Sequence, residues 1–204
     1  MNLNQTIVGQ FKNPHGILGM LAGWIMAHRQ SNRGRNVWMV DLLDIRPEDR
    51  VFEFGCGPGV ALEACAEAAH KGYVLGLDHS KTMIEQARAR NVEAISQGRL
   101  VLRLGALEDM AVGQQSFDKI ASANVVQFLP DRAAAFRRLF SLLGPGGRCA
   151  STYMPRGKNP SREGALKMAR DVERHMGAAG FVNIRTEELP MDPVPAISVI
   201  GERP

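Results

Sequence analysis

The 204 residues are 45% hydrophobic and 23% charged, enough to fill the core of one domain and too apolar for global disorder; 21 glycines and 11 prolines are too few for a collagen-like or low-complexity chain. Three cysteines, Cys56, Cys65 and Cys149, are an odd number at spacings that fit no disulfide scaffold and no zinc site, so no metal is expected and a reduced, cytoplasmic setting follows. The net charge of +4 is unevenly placed: residues 1–40 carry Lys12, Arg29, Arg33 and Arg35 and no acid, leaving 21 basic against 21 acidic residues elsewhere. A nucleic-acid partner expects a basic stripe over the folded domain, and the neutral remainder argues against one.

Residues 16–27 (GILGMLAGWIMA) form an apolar run too short for a bilayer, which needs roughly 20 residues. His28 and Arg29 stand where a signal peptide would have its cleavage site, so a packed helix is expected there. The flanking basic residues leave peripheral membrane contact through residues 12–40 open. Helices are predicted over 17–30 and 36–44, joined by a polar turn at 31–34, and residues 1–45 read as an N-terminal helical lid on a domain spanning 46–204.

From there, strands and helices alternate. Strands are expected at 51–54, 73–77, 100–104, 117–122 and 148–152, with helices at 60–70, 80–95, 131–143 and 162–179. Ser80 and Asp131 are placed to cap the second and third of these helices, and Gly144-Pro145-Gly146-Gly147 stops the third. Two last strands, near 182–187 and 196–201, are separated by too few residues for a crossover helix and must be antiparallel neighbours. The fold class is α/β: a Rossmann-like three-layer sandwich around a seven-stranded, mostly parallel sheet with one antiparallel strand.

Ligands of such sheets bind at the carboxyl ends of the strands. The first strand runs into Glu53-Phe54-Gly55-Cys56-Gly57-Pro58-Gly59, an E-x-G-x-G-x-G pattern. A phosphate-binding P-loop would need Lys-Ser/Thr where Val60-Ala61 stand, and a dinucleotide fingerprint would need a small residue at Val60. Asp78 closes the second strand about 20 residues on, where a carboxylate can accept both hydroxyls of an adenosine ribose.

The ordered segments VFEFGCGPG, VLGLDHS, GALEDM, FDKIASANVVQF and LFSLLGPGG resemble the class I S-adenosylmethionine-dependent methyltransferases, over residues 51–201. The look of the N-terminal segment is similar to small bacterial enzymes of the quinone and phospholipid types. The resemblance implies S-adenosyl-L-methionine as cofactor, with Glu53, Gly55, Cys56, Gly57 and Gly59 lining its methionine part. It further implies Asp78 on the ribose, His79 and Met83 flanking the adenosine, Ala106 and Leu107 at the adenine edge, and Asn124 beside the reacting methyl. Family members often carry a polar residue where Ala106 stands, and Glu108 or Asp109 can take that contact.

In-line methyl transfer to a small, apolar or lipid-like acceptor is the expected activity. Trp24, His28 and Tyr153 are the residues expected to face the acceptor, and His28 is the candidate base. A non-catalytic adenosyl-binding regulatory module and an NAD-type oxidoreductase are the alternatives, and calorimetry with the adenosyl compounds and NADH separates them.

Overall fold

The computed structural model describes residues 30–110, 116–156 and 159–204. Helix α1 (Gln30–Leu43) leads into β1 (Arg50–Phe54), α2 (Val60–Ala68), β2 (Tyr73–Asp78), α3 (Lys81–Arg90), the short α4 (Val92–Ser96) and β3 (Leu100–Leu104). There follow β4 (Phe117–Ala123), α5 (Arg132–Leu142), β5 (Leu143–Tyr153), α6 (Arg162–Ala179), β6 (Val182–Leu189) and β7 (Ala196–Glu202). The sheet order is β3-β2-β1-β4-β5-β7-β6. β7 pairs antiparallel with both β5 and β6, and the remaining pairs are parallel. The seven strands and the single reversed one are as the sequence predicts.

Side chains alternate between the two faces of a strand, and the core divides accordingly. Phe52, Leu75, Leu77, Ile120 and Cys149 belong to the core under α5 and α6. Val51, Val74, Ala121 and Ala150 belong to the opposite core, against Met39, Val40 and Leu43 of α1, Leu62 and Cys65 of α2 and Ile84 of α3. Both faces being covered is what parallel strands with near-continuous apolar runs require.

Three expectations need correction. Residues 31–34 are not a turn, since α1 runs through them. Its buried positions, Asn32, Arg35, Asn36, Met39, Val40 and Leu43, fall on one helical stripe, and Gly34 lies against Met191. Contacts along that stripe override the turn propensity of the Asn-Arg-Gly run. The helix predicted over 80–95 breaks at Asn91, whose buried amide donates to the carbonyls of Gly59 (3.2 Å) and Ala87 (2.9 Å). The Pro-Gly-Gly run lies inside β5, because the backbone of Gly146 and Gly147 pairs with Arg203. The two helix caps are present: Ser80 accepts from the Met83 amide and Asp131 from the Ala134 amide. The helix expected at 17–30 lies outside the described residues, except that Gln30 begins α1.

α1 runs against the strands. Its last carbonyls, Leu42 and Leu43, accept from the guanidinium of Arg148, which pairs with Lys119 near the amino end of β4 and with Glu202 at the end of the reversed β7; this satisfies a helix end with no basic residue of its own. Its first turns therefore stand over the carboxyl ends of the strands.

Candidate active site

The strand order reverses between β1 and β4, so the loops that leave these two strands open a crevice at their carboxyl ends. The loop after β1 is the glycine segment. Its Cys56 amide donates to the Leu77 carbonyl (3.0 Å), which ties it to the end of β2. Gly55 and Gly57 have φ of +65° and +52°, a region costly for residues with a side chain. Gly55 also approaches the loop after β4: a Cβ there would overlap Val125. A Cβ on Gly57 would meet nothing within 4 Å. The two glycines thus differ in kind, one packed and one open.

Asp78 is 6% exposed and accepts from the backbone of Gly57 at Oδ2 (2.8 Å) and of Ser80 at Oδ1 (2.9 Å). It pins the glycine loop to the start of α3. Each oxygen keeps one further lone pair for an outside donor. His79 is half exposed, with its Nδ1 3.9 Å from Asp78 Oδ1, and Met83 is buried at the start of α3.

Glu53 is 3% exposed near the end of β1, in register with two small residues, Gly76 and Ala121. Its Oε2 has no hydrogen-bond partner among the described residues. Burial and the nearby Asp78 push its carboxyl well above the usual carboxylate range, against the pull of Arg35. Burial, with Glu53 and Asp78, also pushes the Cys56 thiol up, which keeps it protonated and unreactive.

Asn124 follows β4 with φ +56°. Its Oδ1 accepts from the Met154 amide (2.8 Å), its own amide donates to the Thr152 carbonyl (2.8 Å), and its carbonyl accepts from Gln127 (2.8 Å). The loops after β4 and β5 are thereby locked together. Tyr153, half-buried at the end of β5, has its phenol pushed up by burial and stays protonated near neutral pH. Ala106 donates its amide to the Asp109 carboxylate (3.0 Å), and Leu107 is buried. Trp24 and His28 lie outside the described residues.

Four polar residues at this end escaped the sequence reading. Arg35 is 5% exposed, and burial and Arg156 pull its guanidinium down to about 10, with Glu53 opposing. Arg156, after β5, donates to Asn32 Oδ1 (2.8 Å). Asn91 holds the carbonyl of Gly59, as noted above. The signal for Arg35 and Asn32 was the helical stripe they share with Met39 and Leu43. Arg156 and Asn91 left no such signal, because their partners are remote in sequence.

Gly57→Ala is expected to lower unfolding free energy by only about 1–2 kcal/mol, the cost of a left-handed alanine. Its methyl would enter the open space over the loop, so binding of S-adenosylhomocysteine should weaken at least roughly tenfold, the worth of one hydrogen bond to a charged group. Thermal unfolding and calorimetry on one preparation check both, and unchanged affinity would remove Gly57 from the site.

Among the described residues no three or more His, Cys, Asp or Glu side chains are grouped to hold a metal, and no helix is long and apolar enough to cross a membrane. Residues 52–151 match the family described as "Methyltransferase domain". The chain is 26% identical over 185 residues to the uncharacterized methyltransferase YdaC of Bacillus subtilis, covering 91% of this chain and 99% of that protein. It is 33% identical over 138 residues to trans-aconitate 2-methyltransferase of Pseudomonas aeruginosa, covering 66% of this chain but only 47% of that one. Magnesium protoporphyrin IX methyltransferase of Synechocystis, solved with bound S-adenosylmethionine, shares the fold with a TM-score of 0.65 at 19% identity, over 98% of this chain and 93% of that one. With the ordered glycine loop, the acid after β2 and the reversed last strand, these likenesses make the chain a member of the class I S-adenosylmethionine-dependent methyltransferases.

Proposed function

We propose that the chain moves the sulfonium methyl of S-adenosyl-L-methionine onto a small molecule held between the carboxyl ends of β4 and β5 and the segment preceding α1. The observation that carries this reading is the open face of Gly57 beside a buried Asp78 at the switch point of the sheet. The residues fit the adenosyl group: Gly57 leaves room for a ligand against the main chain, Asp78 retains acceptor capacity for ribose hydroxyls, and Glu53 offers an unpartnered buried oxygen to an ammonium. Glu53, Gly55, Cys56, Gly57 and Gly59 would line the methionyl end. His79, Met83, Ala106 and Leu107 would border the adenosine, and Asn124 would lie beside the methyl.

The bound cofactor supplies an activated methyl and a neutral thioether leaving group. The chain's own work is to align the acceptor and exclude water. Asn124, fixed by Met154 and Gln127, gives the methyl a rigid floor. A protonated Tyr153 orients an acceptor by hydrogen bonding and does not serve as a base near neutral pH. His28 is the base where the acceptor must lose a proton.

Of residues 1–45, the segment preceding α1 acts in this reading as the lid, while Met39, Val40 and Leu43 anchor α1 in the core. The segment's apolar and aromatic composition supports an apolar or lipid-like acceptor and contact of residues 12–40 with a membrane surface. Two relatives named for trans-aconitate and magnesium protoporphyrin IX support a small-molecule acceptor. A variant lacking residues 1–28 should bind S-adenosylhomocysteine as the full chain does. It should lose at least roughly tenfold in transfer of labelled methyl to lipid, quinone, phenol or amine acceptors, the lower range of misplaced catalytic geometry. Full turnover would exclude the lid; binding of NADH but neither adenosyl compound would exclude methyl transfer.

A further inference from the structure

The loop that leaves β4 is braced by its neighbours. The Asn124 amide donates to the Thr152 carbonyl (2.8 Å) and its Oδ1 accepts from the Met154 amide (2.8 Å), both at the carboxyl end of β5. The Val125 carbonyl accepts from the Phe128 amide (2.9 Å), and the Val125 side chain lies against Gly55 of the glycine loop. The Val126 carbonyl accepts from Arg132 Nε (3.0 Å), and that guanidinium is anchored through Nη1 to Asp171 of α6 (3.1 Å). Gln127 Nε2 donates to the Asn124 carbonyl (2.8 Å). Only an N–H can face a carbonyl oxygen, so the contact sets the orientation of the amide and leaves Oε1 beside Asn124 with its lone pairs free. Gln127 Oε1 is buried, and no other side-chain atom of this loop is both buried and without a hydrogen-bond partner among the described residues.

A buried acceptor without a donor is unfavourable. Gln127 cannot turn to find one without giving up the Asn124 carbonyl. The cofactor's own donors have other partners in the site proposed above: Glu53 for the ammonium and Asp78 for the ribose hydroxyls. We propose that Gln127 Oε1 is the receptor for an N–H or O–H on the methyl-accepting atom, so that the acceptor is an amine or a hydroxyl compound and not a carboxylate or a carbon acid. This rests on the methyl transfer proposed above. An amine is favoured, because a carboxamide oxygen stabilises positive charge but takes no proton. The nitrogen lone pair forms the C–N bond, the C–S bond breaks with its electron pair left on sulfur, and the positive charge passes from sulfur to nitrogen. The N–H held by Gln127 thereby becomes a cationic donor, so its hydrogen bond strengthens as the methyl moves. The proton leaves to water from the methylated product. A hydroxyl acceptor would need a base to take its proton.

Transfer of labelled methyl to a panel of amines, phenols, carboxylates and carbon acids tests the class. Calorimetry of the S-adenosylhomocysteine-loaded protein with aniline, phenol and the donor-free N,N-dimethylaniline gives a readout apart from turnover. The preferred acceptor should be an amine or a phenol, and aniline or phenol should bind more tightly than N,N-dimethylaniline. Gln127→Leu and Gln127→Glu both lose the tie to the Asn124 carbonyl, but only glutamate keeps an acceptor oxygen. Gln127→Leu should lower kcat/KM for the preferred acceptor roughly 10- to 100-fold, the range of hydrogen bonds to a charged group. It should weaken the aniline or phenol probe only about 3- to 10-fold, the range for neutral partners. Gln127→Glu should recover most of both losses, and S-adenosylhomocysteine should bind all three proteins alike. Equal losses in the two variants, the mark of a residue that only braces the loop, overturn the proposal. A preferred acceptor that is a carboxylate or a carbon acid overturns it too, and leaves methyl transfer standing. A protein that binds S-adenosylhomocysteine and methylates nothing on the panel, or that binds no adenosyl compound, overturns the transfer reading and this proposal with it.

Discussion

Asp78→Ala is expected to cost both stability and affinity, and the two losses have separate causes. The carboxylate accepts the half-buried amide of Gly57 and the buried amide of Ser80. Removing it strands two donors, each at about 1–3 kcal/mol, so unfolding free energy should fall by roughly 2–6 kcal/mol on that accounting. Affinity for S-adenosylhomocysteine should fall further, because the ribose loses its acceptor and the glycine loop its tether; about 1–3 kcal/mol is the scale for hydrogen bonds to a charged group. Asp78→Asn separates the two effects. It keeps one acceptor oxygen and the side-chain volume, so it should recover part of the stability while the affinity stays low. It also removes a negative charge that raises the carboxyl of Glu53, and that carboxyl should titrate lower. Chemical denaturation and calorimetry on the three proteins decide the matter. Wild-type affinity in Asp78→Ala would detach the ribose from this carboxylate.

The sheet was legible because its signals are local. Val51, Phe52 and Phe54, then Val74, Leu75 and Leu77, are apolar runs closed by a glycine cluster and an acid, and a parallel strand buried on both faces leaves that mark. The short span between β6 and β7 left an antiparallel pairing as the sole option. The glycine loop and Asp78 were legible for the same reason, as short motifs at strand ends. Buried polarity was not. Asn32, Arg35 and Asn36 occupy core-facing positions of a helix, but the polar run ending at Gly34 reads as a turn that takes in Asn32 and leaves Arg35 outside the helix expected from residue 36. Only the packing of α1 across the strand ends makes their burial sensible. Asn91 likewise interrupts a helix in order to reach a carbonyl 32 residues away. Site residues held by remote partners leave no periodicity, and sequence reading is weakest where a fold departs from apolar burial to serve chemistry.

Arg35→Met should make the ligand-free protein more stable, the reverse of most core substitutions. The guanidinium is buried, two of its donors lack partners among the described residues, and Arg156 repels it. Methionine fills much of the same volume with no charge to desolvate, and replacing buried charges by apolar side chains gains about 1–4 kcal/mol in favourable cases. For a chain of this length that corresponds to a rise in Tm of roughly 2–4 °C per kcal/mol. The pH dependence follows from Glu53, since Arg35 is pulled down only to about 10 and is charged in both folded and unfolded chains near neutrality. The folded pKa of Glu53 is raised, so its contribution to stability is fully present below the unfolded value and is lost as pH rises through the folded one. Arg35 is the counter-charge that limits this loss. Without it the Glu53 carboxyl moves higher still, so the gain from Arg35→Met should be largest at pH 5 and shrink towards pH 8. Adding Glu53→Gln should flatten that slope. Lower stability of Arg35→Met at both pH values would mean that the guanidinium already has its partners in the ligand-free protein. A stabilised variant that binds S-adenosylhomocysteine poorly would instead identify an unpaired buried charge, unfavourable to the fold and retained for the ligand it meets.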